Sequence, residues 1–122
     1  LIKISKIHEL NNDEMGLDIG PETTLEYSLI LENAKNIIWN GPLGMFEKLN
    51  YATGTQSICD SIKKITNKNN CTSIIGGGDT IRAVERFTSV NNFTHVSTGG
   101  GASLKLLSGE KLDIVNSWKK YE

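Results

Sequence analysis

Short apolar runs alternate along the chain with longer segments in which apolar residues recur at helical spacing. Tyr27, Ile30, Leu31 and Ala34 recur every three or four positions and predict a helix over about 21–35. Pro21 suits its first position, where a missing N–H costs nothing. Ile37-Ile38-Trp39 then reads as a short buried strand, broken by the turn residues Asn40-Gly41-Pro42. A second helix is expected over about 52–66, with Ile58, Ile62 and Ile65 on one face, and residues 67–70 are polar and loop-like. Thr72-Ser73-Ile74-Ile75 is the next strand, and Ile81, Val84 and Phe87 form the apolar face of a helix running to Phe87. Residues 93–97 predict another strand. Residues 98–101 make a glycine turn, and a further helix starts over 102–107, with Gly109 placed to stop it. Earlier in the chain, Met15-Gly16-Leu17-Asp18-Ile19-Gly20 reads as a short strand between glycine turns, whereas the first dozen residues carry no Gly or Pro turn signal. The pattern over 115–122 is weak, with Trp118 there as a packing residue or part of a fraying end.

Strands alternating with helices imply parallel βαβ units. The expected fold class is therefore α/β, a partial Rossmann-like parallel sheet with flanking helices. The 122 residues suit one domain or part of one, and 38% hydrophobic residues are enough for a packed core. Thirteen basic and 14 acidic side chains leave a formal charge of -1, with no footprint for nucleic acid or anionic lipid. Lys63 and the pair Lys119-Lys120 read as solvated faces. Cys59 and Cys71 form no CxxC pair and have no His at metal spacing, so two reduced thiols are expected. No stretch has the length of a membrane span, and no signal peptide is recognisable. Leu1 in place of Met suggests a fragment or a processed product.

The chemistry-bearing feature is positional. Three glycine-containing polar loops, 40–47, 76–80 and 97–102, each follow a predicted strand directly. In an open parallel sheet such loops share the carboxyl edge, where ligands bind. Glycine runs let backbone N–H groups approach an anion, and two of these runs lead into helix N-termini, where the dipole favours negative charge. Asp79 would repel a bare phosphate, so its presence implies an intervening cation; Mg²⁺ is held in this way, by one or two carboxylates plus phosphate oxygens. Each segment also has a plainer reading: Asp79 as a helix cap, the glycine runs and Asn40-Gly41-Pro42 as turns, and Glu47 as surface charge. The sequence contains neither GxxxxGK[ST] nor GxGxxG at these loops. His8 is isolated, His95 reads as structural, and Ser97 and Thr98 have no partner base.

Trp39-Asn40-Gly41-Pro42-Leu43-Gly44-Met45-Phe46-Glu47, Gly76-Gly77-Gly78-Asp79-Thr80 and Ser97-Thr98-Gly99-Gly100-Gly101-Ala102 resemble three signature segments of the phosphoglycerate kinase family. The 15–21 segment resembles a fourth, in the family's order, and the likeness covers about 12–112. It implies a glycolytic, cytoplasmic, usually monomeric kinase that transfers a phosphoryl group reversibly between 1,3-bisphosphoglycerate and Mg-ADP, giving 3-phosphoglycerate and Mg-ATP. Glu47 would then hydrogen-bond the adenosine ribose. Asn40, Gly77, Gly78, Asp79 and Thr80 would surround the nucleotide phosphates, with Asp79 directed at Mg²⁺. Gly99, Gly100 and Gly101 would face the transferred group. The family has two domains. Its basic phosphoglycerate-binding domain, its nucleotide-domain lysines and its stabilising arginine have no counterpart here, and Asp113 stands where the family usually has Pro. The chain is thus expected to be the C-terminal portion of the nucleotide-binding domain, inactive alone. The rival readings are a nucleotide-binding module and a structural α/β fragment, each without catalysis.

Overall fold

The computed structural model describes residues 2–68 and 71–98. Three strands, β1 (Asn36–Asn40), β2 (Thr72–Gly76) and β3 (His95–Ser97), pair in parallel in the order β1-β2-β3. Helix α1 (Pro21–Leu31) precedes β1, α2 (Thr53–Lys68) joins β1 to β2, and α3 (Gly78–Phe87) joins β2 to β3. Parallel neighbours need such crossovers, so the expected α/β class holds.

The core lies between one face of the sheet and α2 and α3. Ile37 and Trp39 of β1 alternate inward, as do Ser73 and Ile75 of β2, following the two-residue period of a strand. Ile58, Cys59, Ile62 and Ile65 of α2 and Val84 of α3 meet them, with Cys71 and Phe93 closing the ends. Both cysteines are free and buried, and apolar surroundings push the Cys59 thiol up to about 11, helped by the neighbouring Asp60 charge. Among the described residues no helix is long and apolar enough to cross a membrane.

Three expectations change. Residues 15–20 form no strand; the Leu17 carbonyl and the Asp18 carboxylate accept from the Met45 and Gly54 N–H groups instead of joining a ladder. Helix α1 ends at Leu31 rather than near 35, because Ala34 N–H turns back to the Leu31 carbonyl at 3.0 Å and aims the chain into β1. The last strand begins at His95 rather than at 93. Phe93 N–H closes a 3₁₀ turn onto Val90, and Thr94 exchanges bonds with Ser73: Ser73 N–H donates to Thr94 Oγ1 at 3.0 Å and Thr94 N–H to Ser73 Oγ at 3.2 Å. His95 is exposed, opposite Ile74. The glycines at 99–101, the expected helix at 102–107 and Trp118 lie outside the described residues.

Candidate functional site

The strand register sets the site. Asn40, Gly76 and Ser97 stand side by side at the carboxyl ends of β1, β2 and β3, so the three following loops leave from one edge. The 76–80 loop turns at once into α3. Gly77 is its N-cap, with φ 91°, a conformation glycine adopts freely and other residues rarely. Its N–H donates to the Ser97 carbonyl at 3.2 Å, which ties the second loop to the third strand. The first intrahelical bond of α3 runs from Ile81 N–H to the Gly77 carbonyl at 3.1 Å. The N–H groups of Gly78, Asp79 and Thr80 precede it and form the donor-rich, positive end of the helix. Space beside Gly78 is open, with nothing within 4 Å of where a Cβ would stand.

The 40–47 loop is fastened over this turn. A Cβ on Gly77 would lie 3.5 Å from Asn40 Nδ2 and 3.6 Å from Asn40 Oδ1, so the Asn40 amide sits directly over the glycine backbone. Gly41 N–H donates to Thr80 Oγ1 at 2.6 Å, and Trp39 Nε1 donates to the Gly41 carbonyl at 2.6 Å. Leu43 and Gly44 N–H groups both donate to Thr55 Oγ1, at 3.1 and 3.2 Å, on the first turn of α2. Phe46 is buried with Ala52 and Ala83, and the Arg86 guanidinium donates to the Phe46 carbonyl. Glu47, next in the chain after this anchored residue, is exposed.

Asn40, Gly77 and Thr80 are therefore brought together, and Gly78 and Asp79 stand beside them on the α3 N-terminus. Thr80 is 1% exposed with its hydroxyl engaged by Gly41, so its side chain fastens the 40–47 loop to α3. Asp79 does not cap α3: the N-cap has no side-chain bond, and the exposed Asp79 carboxylate pairs with Arg82 one turn on. Gly99, Gly100 and Gly101 lie outside the described residues. Thr55, Arg86 and Asp18 hold the loops and were not singled out from the sequence. Thr55 is legible in retrospect, since it falls in phase with Ile58 and Ile62 on the buried face of α2; Arg86 and Asp18 carry no such periodic signal.

Residues 2–110 match the family model for phosphoglycerate kinase. A phosphoglycerate kinase of Schistosoma mansoni is 52% identical over 98 residues, covering 80% of this chain and 23% of that protein. One of Synechococcus sp. (strain JA-3-3Ab) is 46% identical over 106 residues, 87% of this chain and 26% of that protein. The solved phosphoglycerate kinase of Coxiella burnetii superposes with a TM-score of 0.80 at 35% identity, over 88% of this chain and 27% of that one. That of Pyrococcus horikoshii OT3 gives 0.69 at 36% identity, over 84% and 24%. The chain thus spans about a quarter of the length of these relatives.

Proposed function

The chain belongs to the phosphoglycerate kinase family, and on that premise we propose that it supplies the nucleotide side of phosphoryl transfer between 1,3-bisphosphoglycerate and Mg-ADP. In the forward direction the acyl phosphate P–O bond breaks, a bond to the terminal ADP oxygen forms, and the products are 3-phosphoglycerate and ATP. Such transfer needs in-line placement and neutralisation of charge on the equatorial oxygens, with little covalent work by the protein. The observation that carries the reading is the Asn40 amide seated over Gly77 at the open N-terminus of α3, where backbone donors meet an anion without side-chain obstruction. Gly77, Gly78 and Thr80 form the segment that holds the nucleotide phosphates there, Asn40 orients them, and Glu47 hydrogen-bonds the ribose. Gly99, Gly100 and Gly101 face the transferred group.

Asp79 is the residue that would hold Mg²⁺. No cluster of three or more metal-ligating side chains occurs among the described residues, but Mg²⁺ paired with a nucleotide needs only one or two carboxylates, and an exposed Asp79 at the helix start fits that demand. When bound, the ion supplies charge neutralisation between phosphate oxygens. The Asp79 carboxylate also pairs with Arg82.

The same reading makes the chain the C-terminal portion of a nucleotide-binding domain in a two-domain, monomeric, cytoplasmic enzyme. That the chain is one portion of a larger domain is supported by the edge strand β1, where Ile38 is 50% exposed and lines, with Tyr27, Ile30, Leu31, Ile37 and Trp39, an apolar cleft of about 240 Å³. An edge strand this apolar is unusual unless another element covers it. Phosphoryl-transfer assays on the full-length protein and on the 122-residue chain test the proposal. Turnover by the first and none by the second is expected. Turnover by the short chain would contradict it, and nucleotide binding without turnover in the full-length protein would favour a non-catalytic binding module.

A further inference from the structure

Asp18 lies outside the loops that face the nucleotide, yet it joins three segments. Its Oδ1 accepts from its neighbour Ile19 N–H at 2.9 Å, and its Oδ2 accepts from Gly54 N–H at 2.9 Å, at the first turn of α2. One residue earlier, the Leu17 carbonyl accepts from Met45 N–H at 2.8 Å. The carboxylate sits between two glycines: a Cβ on Gly44 or on Gly54 would run into it, and one on Gly44 would also come within 2.8 Å of the Tyr51 carbonyl. Chain packing this close tolerates no side chain at either glycine. The seat also suits a negative charge, which the α2 N-terminus stabilises. An Asn of the same shape cannot replace it, because its NH₂ would face one of the two backbone donors.

We infer that Asp18 is a positioning residue for nucleotide binding: it clamps the 44–45 backbone between residues 17–18 and the start of α2, and so sets where Glu47 and the rest of the 40–47 loop stand. This rests on the nucleotide reading above. Asp18 touches no substrate in it and acts only through the loop.

The test is steady-state kinetics of the full-length protein carrying Asp18→Asn, with hydrogen exchange read at single amides. The KM for ADP rises about tenfold, the loss expected when a hydrogen bond to a charged group fails. The KM for 1,3-bisphosphoglycerate stays within about twofold of wild type, a split that a general loss of structure would not produce. Exchange at the Gly54 and Met45 amides quickens, while exchange at Ile75 in the core does not. Gly44→Ala, whose Cβ would press on the Asp18 carboxylate and shift the same backbone while leaving the charge in place, gives the same ADP-specific rise and decides the matter if Asp18→Asn fails to fold. An unchanged ADP KM in both variants, or parallel rises for both substrates, overturns the inference. If the wild-type protein shows no turnover, the functional reading fails separately, and unchanged exchange at Gly54 and Met45 in Asp18→Asn still overturns the clamp.

Discussion

The molecule has two flanks built from similar residues that behave differently: α2 and α3 with the sheet face they cover, and the outward surfaces of α1 and β1. On the α2–α3 side, Ile62, Ile75 and Val84 are at most 1% exposed. On the α1 side, Leu25 is 62% exposed, Ile30 65% and, beyond them, Ile38 of β1 50%. Apolar content does not distinguish the flanks; partners do. The first flank finds its partners within the described residues and forms a core. The second presents a surface of the kind that longer proteins cover, and the relatives are more than three times as long. The 40–47 and 76–80 loops belong to the first flank. They are held by Thr55, Thr80 and Phe46, so the carboxyl edge of the sheet can keep its shape wherever the second flank is docked.

Substitutions at the two flanks separate them. In the full-length protein, Ile62→Ala or Val84→Ala should cost about 2–5 kcal/mol, measured by denaturant unfolding, because each leaves a cavity in a dense interior. Ile30→Ala should cost under about 0.5 kcal/mol in the 122-residue chain, where the residue is exposed, and several times that in the full-length protein. Equal small losses in both would mean that nothing covers the second flank. Next in size is Thr55→Val, which removes the acceptor of two backbone donors and should destabilise by about 1–3 kcal/mol.

The pH dependence follows from Cys59. Its folded-state pKa of about 11 stands above the ordinary 9.0, so the folded state holds its proton where the unfolded state has lost it. This contribution to stability is fully present below pH 9 and is lost as pH rises towards 11. The melting temperature should fall over that window in wild type and less steeply in Cys59→Ala, each measured against its own value at neutral pH. The smallest effect belongs to Arg82→Ala: the exposed pair with Asp79 contributes under about 1 kcal/mol, so thermal stability should barely move.

Residues that follow a period were legible in the sequence. Ile58, Ile62 and Ile65 announce the buried face of α2. Ile37-Ile38-Trp39 announces β1 as a buried strand, but burial alternates along it and Ile38 faces outward, 50% exposed. The edge that gathers the loops was legible too, since parallel strands send every following loop to one side. Tertiary fastenings were not. Asp18 reads as part of a strand until Gly54 N–H meets it, 36 positions away in the chain. Thr80 is expected beside the nucleotide phosphates, and nothing local announces that its hydroxyl accepts from Gly41 N–H, across 39 positions. Helix α1 was recognisable by spacing, but the exposure of that apolar face depends on what lies against it, which no local pattern records.

The central claim is a nucleotide-phosphate site at the α3 N-terminus, with Asp79 serving the cation. Calorimetric titration of the full-length protein with Mg-ADP, wild type against Asp79→Ala, tests it most directly. The account predicts binding by wild type and an affinity about 10–100-fold weaker in the variant, the loss expected when a charged partner is removed. Equal affinities, with the fold of both intact, would contradict it.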